Sequence, residues 1–135
     1  MQNIVSKENV VDHISGTPIW IARRPCKTMD LAKFDTVVDL TAEFCKGRVA
    51  SDTYICLPNV DGIPLTNYHI DFNFLQAKSI LVHCANGHGR SALFTAMLLK
   101  NLKITNTYQD GLSLIQKSRP CAIPSRLQIK SLLQR

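Results

Sequence analysis

The sequence predicts an α/β fold in which a central, mainly parallel sheet of four or five strands is flanked by helices. Short runs rich in β-branched residues alternate along the chain with longer runs that have helical features, an order typical of parallel sheets covered by helices. The chain has 135 residues, of which 45% are hydrophobic and 19% charged. This size and composition suit one globular domain with a single core. We therefore predict a single domain over residues 1–135, with residues 1–17 as an N-terminal lead-in segment.

The first half of the chain contains three short apolar runs that are predicted to be strands. They cover residues 18–22, 36–40 and 54–57, and each is rich in β-branched or aromatic residues. Pro58 is expected to end the third strand, because proline cannot donate a backbone hydrogen bond to a neighbouring strand.

A helix, a fourth strand and a second helix are predicted next. Thr66 is a good N-cap for a helix that runs to about Ala77. Residues 79–82, which include the apolar run Ile80-Leu81-Val82, are too few and too β-branched for a helix, so they are predicted to be a strand. Residues 91–102 contain no glycine or proline and are rich in Ala, Leu and Met, which predicts a helix.

The remainder of the chain predicts two more helices. Thr105 and Thr107 are both able to cap a helix that the pair Arg119-Pro120 ends. Pro124 can occupy the first turn of a final helix. The apolar residues of that helix are Leu127, Leu132 and Leu133.

The stretch between the fourth strand and the following helix combines a thiol, two glycines and an arginine. It reads His83-Cys84-Ala85-Asn86-Gly87-His88-Gly89-Arg90-Ser91. At a helix N-terminus, unpaired backbone N–H groups and the positive end of the helix dipole favour an anion. Gly87 and Gly89 let the backbone turn sharply, so that consecutive N–H groups can point at one centre. The loop, residues 85–89, is therefore predicted to bind a phosphate-sized oxyanion.

Cys84 and Arg90 supply a nucleophile and an anion clamp at the two ends of this loop. A thiol at a helix N-terminus and beside an arginine ionises more readily than an isolated one, so Cys84 is predicted to be a thiolate at neutral pH. The guanidinium of Arg90 presents a planar fork of donors that suits two oxygens of a phosphate. The hydroxyl of Ser91 can donate a hydrogen bond to the Cys84 sulfur when it acts as a leaving group.

The order His-Cys, five residues, Arg-Ser resembles the signature of the cysteine-dependent protein tyrosine and dual-specificity phosphatases. The specific match is HCANGHGRS at residues 83–91, within a broader resemblance from about Ile19 to the C-terminus. The resemblance implies a dual-specificity-phosphatase-like fold and hydrolysis of phosphomonoesters through a phosphocysteine intermediate. It implies that Cys84 attacks phosphorus and that Arg90 and the loop N–H groups bind the phosphate oxygens, with no cofactor and no metal required.

A carboxylic acid is needed to protonate the leaving oxygen. In the family this aspartate lies on a loop upstream of the cysteine motif, and Asp61 matches that place. An aspartate before glycine is also a common turn residue, and Asp52 and Asp71 are the alternatives.

Two histidines of the motif have different expected roles. His83 precedes the nucleophile on a strand, where alternation turns its side chain away from that of Cys84. We expect it to support the loop by hydrogen bonding to the backbone. His88 lies within the loop, where its protonation would add positive charge near the phosphate.

Other interpretations of the loop have less support. It lacks the Gly-Lys-Ser ending of a Walker phosphate loop, and no second cluster completes a set of metal ligands with its histidines and cysteine. A catalytically silent phosphate-binding module, known as a pseudophosphatase, is the alternative function. A sulfurtransferase or arsenate reductase that uses the same loop type is a further one.

Charge and cysteine content suggest the partners and the compartment. The formal net charge of +6 favours anionic substrates. We expect phosphotyrosine, phosphoserine or phosphothreonine in proteins, or phospholipid or inositol phosphate head groups. Basic residues are scattered, so no nucleic-acid partner is predicted. The five cysteines form no short-range pairs and no apolar run is long enough to span a membrane. A cytoplasmic monomer is therefore predicted.

Overall fold

The structure is a computed structural model that describes residues 11–23, 33–41, 53–59, 79–84 and 89–133. Five strands and three helices lie within these ranges. They are β1 (Val11–His13), β2 (Ile19–Ala22), β3 (Thr36–Thr41), β4 (Thr53–Asn59), β5 (Ile80–His83), α1 (Gly89–Asn101), α2 (Tyr108–Ser118) and α3 (Arg126–Leu133). The predicted α/β fold class is confirmed. The helix expected over residues 66–77 lies outside the described residues.

The strands form one sheet in the order β1-β2-β5-β3-β4, with β5 in the middle. β5 runs parallel to β2 and β3, β4 runs parallel to β3, and β1 is antiparallel to β2. All four residues of β5 are buried, as expected of a strand whose two faces are both covered. Ligands of such sheets bind beyond the carboxyl ends of the strands. Cys84 follows the last residue of β5 and therefore lies at that edge of the sheet.

Apolar side chains cover the two faces of the sheet as two clusters. Ile80 and Val82 of β5 belong to the larger one, which also contains buried apolar residues of the three helices. Leu81 belongs to the smaller one, together with Ala22, Phe34 and Val37. The alternation along β5 is that of a strand with successive side chains on opposite faces.

The third predicted strand is longer than expected. The prediction that Pro58 ends it is wrong, because β4 continues through Pro58 to Asn59. Among the described strands, β4 pairs only with β3 and forms the edge of the sheet. An edge strand tolerates proline because one side of its backbone has no ladder to complete. The register between β3 and β4 also shifts between Asp39 and Thr41, close to the paired residue Asn59.

β1 lies within the segment that the sequence predicts to be only a lead-in. Its three residues pair with β2 in the register Val11 to Ala22 and His13 to Trp20. Asp12 accepts a hydrogen bond of 2.7 Å from the Arg119 guanidinium, and the Arg119 side chain is buried. This ion pair ties the edge strand β1 to the segment that follows α2.

The ends of α2 agree with the sequence. Thr107 is the N-cap, and its hydroxyl accepts a hydrogen bond of 3.0 Å from the Asp110 N–H. The helix ends at Ser118, and the N–H of Arg119 donates to the Ile115 carbonyl. Thr107 is therefore the cap, and Thr105 is not.

The start of α3 differs from the prediction by two residues. Ser125 is the N-cap, since its carbonyl accepts the first helical hydrogen bond, from the Ile129 N–H. Pro124 precedes the cap and does not lie in the first turn. Of the three leucines assigned to this helix, Leu132 is buried, whereas Leu127 and Leu133 are exposed.

Candidate functional site

The strand and the helix predicted on the two sides of the cysteine motif are present. β5 ends at His83, and α1 begins at Gly89, two residues earlier than expected. Cys84 holds a thiol and is 2% exposed, packed in the larger cluster with Val82. The predicted phosphate-binding residues that connect Cys84 to α1 lie outside the described residues, and these are Ala85, Asn86, Gly87 and His88.

Arg90 is the second residue of α1, and its side chain is fully buried. Arginine is seldom fully buried, because its charge must leave water. The first turn of α1 contains no acidic residue, so no carboxylate of that turn neutralises the positive end of the helix dipole. The buried guanidinium and the helix terminus therefore add two positive contributions at the same end of α1, where an anion is favoured.

Ser91 follows Arg90 and is also fully buried. Within the described part of the chain, its hydroxyl oxygen has no hydrogen-bond partner. Most buried hydroxyls in folded proteins have a partner, so an unpartnered one calls for an explanation.

His83 lies on the sheet face opposite to that of Cys84, as strand alternation predicts. Its neighbour in register on β3 is Asp39, and the His83 Nε2 atom is 3.9 Å from Asp39 Oδ2. This distance allows an ion pair when the imidazole is protonated and is too long for a hydrogen bond. Both side chains are buried beneath the end of the central strand.

Asp39 is itself held by Thr41. The N–H and the hydroxyl of Thr41 both donate to Asp39 Oδ1, at 2.9 and 2.6 Å. Sequence reasoning did not identify Asp39 and Thr41 as residues of the site. The available signal was an acidic residue inside an otherwise apolar strand, since carboxylates are seldom buried without partners.

The candidate general acid Asp61 and its alternatives Asp52 and Asp71 lie outside the described residues. The described ranges contain no group of three His, Cys, Asp or Glu side chains able to hold a metal ion. They also contain no helix with the length and apolar character needed to span a bilayer.

No protein-family model and no curated protein sequence matches the chain. Solved structures of phosphatases are similar to it in fold. A mouse putative dual specificity phosphatase complexed with zinc tungstate has a TM-score of 0.72 at 17% identity, over 99% of this chain and 90% of that chain. PTPMT1 in complex with PI(5)P has a TM-score of 0.69 at 17% identity, over 93% of this chain and 94% of that chain.

A third similar structure is that of the human tyrosine phosphatase-like serine/threonine/tyrosine-interacting protein. Its TM-score is 0.68 at 16% identity, over 92% of this chain and 93% of that chain. Sequence identities this low establish a shared fold, and function must be argued from the site. The chain therefore has the dual-specificity phosphatase fold that the sequence resemblance implies.

Proposed function

We propose that this chain, which has the fold of dual-specificity phosphatases, hydrolyses phosphomonoesters through a phosphocysteine intermediate. The main support is the position of Cys84 at the carboxyl end of the central strand, together with Arg90 buried in the first turn of the next helix. A nucleophile and a fixed cation at one helix N-terminus suit attack on a phosphate group.

In the first step, the Cys84 thiolate attacks phosphorus and the bond from phosphorus to the ester oxygen breaks. The Arg90 guanidinium and the N–H groups at the start of α1 bind the remaining phosphate oxygens. Asp61 donates a proton to the leaving oxygen, so that an alcohol or phenol departs in place of an alkoxide or phenoxide.

In the second step, water attacks the phosphocysteine and the sulfur–phosphorus bond breaks. The Asp61 carboxylate accepts the proton of the attacking water, and inorganic phosphate leaves. The Ser91 hydroxyl donates a hydrogen bond to the departing sulfur. Its burial without a partner in the described residues supports this role.

His83 supports the end of β5 from the opposite face of the sheet. Its proximity to Asp39, which Thr41 holds through two hydrogen bonds, supports a role in fixing the strand that carries Cys84. Such a residue acts on the geometry of the nucleophile and takes no part in proton transfer to substrate.

The substrates that we propose are phosphorylated proteins, or phospholipid and inositol phosphate head groups. The net charge of +6 favours association with anions of either class. Solved structures of similar fold contain tungstate, a phosphate-like oxyanion, in one case and a phosphoinositide in another.

The test is phosphate release by the purified protein without added metal, on an aryl phosphate, phosphopeptides and phosphoinositide head groups. We expect Cys84→Ser to abolish turnover and Asp61→Ala to lower kcat by about a hundredfold or more. Cys121→Ser is the matched control, since Cys121 also holds a thiol, and it should retain wild-type kcat. Phosphopeptide or head-group binding without turnover by the wild type would contradict the enzyme and favour the pseudophosphatase.

A further inference from the structure

The side-chain amide of Gln128, on α3, lies directly against Gly89, the first residue of α1. A Cβ atom placed on Gly89 would be 2.8 Å from Gln128 Oε1 and 3.3 Å from its Nε2. Gln128 is only 1% exposed, which is unusual for a glutamine. The absence of a side chain at Gly89 therefore allows a buried polar group from the C-terminal helix to contact the start of the helix that carries Arg90.

Gln128 is not able to move away from this contact without loss of other bonds. Its side-chain Oε1 accepts a hydrogen bond of 2.8 Å from the backbone N–H of Ser125. The backbone N–H of Gln128 in turn donates to the Ser125 hydroxyl at 3.2 Å. This reciprocal pair is a capping box at the N-terminus of α3. The side-chain amide that accepts this cap hydrogen bond is therefore the same group that packs against α1.

Because our inference concerns the proposed reaction, it rests on the proposed function. We propose that Gln128 is a positioning residue that fixes the first turn of α1, and with it Arg90, in the geometry that binds the transferred phosphoryl group. Gly89 immediately precedes Arg90, so a shift of Gly89 toward α3 would displace the Arg90 guanidinium. Displacements of about 1 Å can cost roughly a hundredfold in rate.

The first test compares Gln128→Ala with Ser125→Ala. Both remove part of the α3 cap and should lower Tm by similar amounts, but Ser125→Ala keeps the backbone N–H that holds the Gln128 amide. We expect Gln128→Ala to lower kcat/KM for an aryl phosphate by roughly ten- to hundredfold and to weaken tungstate binding. Ser125→Ala should change both by less than about twofold. Equal effects of the two variants on kcat/KM at equal loss of Tm would overturn the inference.

The second test is a double-mutant cycle between the two contacting residues. Gly89→Ala adds a methyl group that meets the Gln128 amide, and Gln128→Ala removes that amide. We expect Gly89→Ala to reduce kcat/KM and tungstate affinity in the wild-type background and to have a several-fold smaller effect in the Gln128→Ala background. Strictly additive effects would overturn the inference, since the two residues would then act independently.

Tungstate binding, measured by the rise in Tm that the oxyanion produces, separates failure of this inference from failure of the proposed function. Wild-type protein that binds tungstate without turnover would overturn the phosphatase, whereas weaker binding by Gln128→Ala would still support the positioning role. Active wild-type protein with unchanged kcat/KM and tungstate affinity in Gln128→Ala would overturn the positioning role alone. Protein that neither turns over aryl phosphate nor binds tungstate would overturn both.

Discussion

At the scale of single residues, the burial of the Ser91 hydroxyl predicts a specific step of the proposed reaction in which this residue acts. A serine in the first turn of a helix is ordinarily exposed or bonded to a neighbouring backbone group. Here the hydroxyl is fully buried at the start of α1 and has no partner within the described residues. A hydrogen bond from this hydroxyl to a leaving thiolate would give the buried group a partner during the reaction.

We expect Ser91→Ala to slow hydrolysis of the phosphocysteine and to leave its formation nearly unchanged. A hydrogen bond to a charged group contributes about 1.5–3 kcal/mol, so kcat should fall roughly ten- to hundredfold. Rapid-quench measurements on an aryl phosphate should show a burst of aryl product followed by slow turnover. Ser91→Thr keeps the hydroxyl and is the matched variant. A Ser91→Ala variant with wild-type kcat and no burst would contradict this role.

At the scale of single elements, the cap of α2 follows from local signals, whereas the end of β4 does not. Thr107 caps α2 because its hydroxyl accepts the Asp110 N–H, an interaction that needs only neighbouring residues. The end of β4 depends instead on the position of that strand in the sheet. Pro58 is accommodated because β4 is the edge strand among those described, and strand order is not a local property.

The cap of α2 offers a prediction with a matched control. Thr107→Ala should lower the free energy of unfolding by about 1 kcal/mol, because the Asp110 N–H loses its acceptor. Thr105 is the other threonine able to cap this helix, and its hydroxyl has no hydrogen-bond partner in the described structure. Thr105→Ala should therefore change stability by less than about 0.5 kcal/mol. Urea unfolding measures both values, and an equal loss in the two variants would contradict the assignment of the cap.

At the scale of the whole molecule, contacts between distant segments hold the first described strand against the segment between α2 and α3. Asp12 of β1 and Arg119, which follows α2, form an ion pair of 2.7 Å. β1 has only three residues and pairs with one neighbour among the described strands. Such a short edge strand gains little stability from its backbone hydrogen bonds to β2. The ion pair therefore contributes substantially to keeping β1 in place.

Breaking this ion pair should destabilise the fold. Asp12→Ala removes a carboxylate that lies 2.7 Å from the buried Arg119 guanidinium, and removal of one partner of a buried ion pair costs roughly 3 kcal/mol. Arg119→Ala should have a similar effect. The double variant should lose less stability than the sum of the two single losses, because each single variant already removes the interaction between the two side chains. Additive losses in urea unfolding would show that the two side chains do not interact.

The fold class and the positions of Cys84, Arg90 and Ser91 relative to the central strand and the next helix could be predicted from the sequence, because the relevant signals are local. The order of a buried strand, a glycine-containing loop and a long helix places Cys84, Arg90 and Ser91 at one helix N-terminus. Alternation along β5 likewise predicts that His83 and Cys84 point to opposite faces.

Only the tertiary structure decided which distant residues meet at this site and at the sheet edges. The pairing of Asp39 with His83 follows from the register of β3 against β5, and the contact of Gln128 with Gly89 follows from the packing of α3 on α1. The strand β1 exists because it pairs with β2. Each of these features depends on residues far apart in the chain, whose proximity is set by the packing of the whole sheet and its helices, and not by the residues adjacent in sequence.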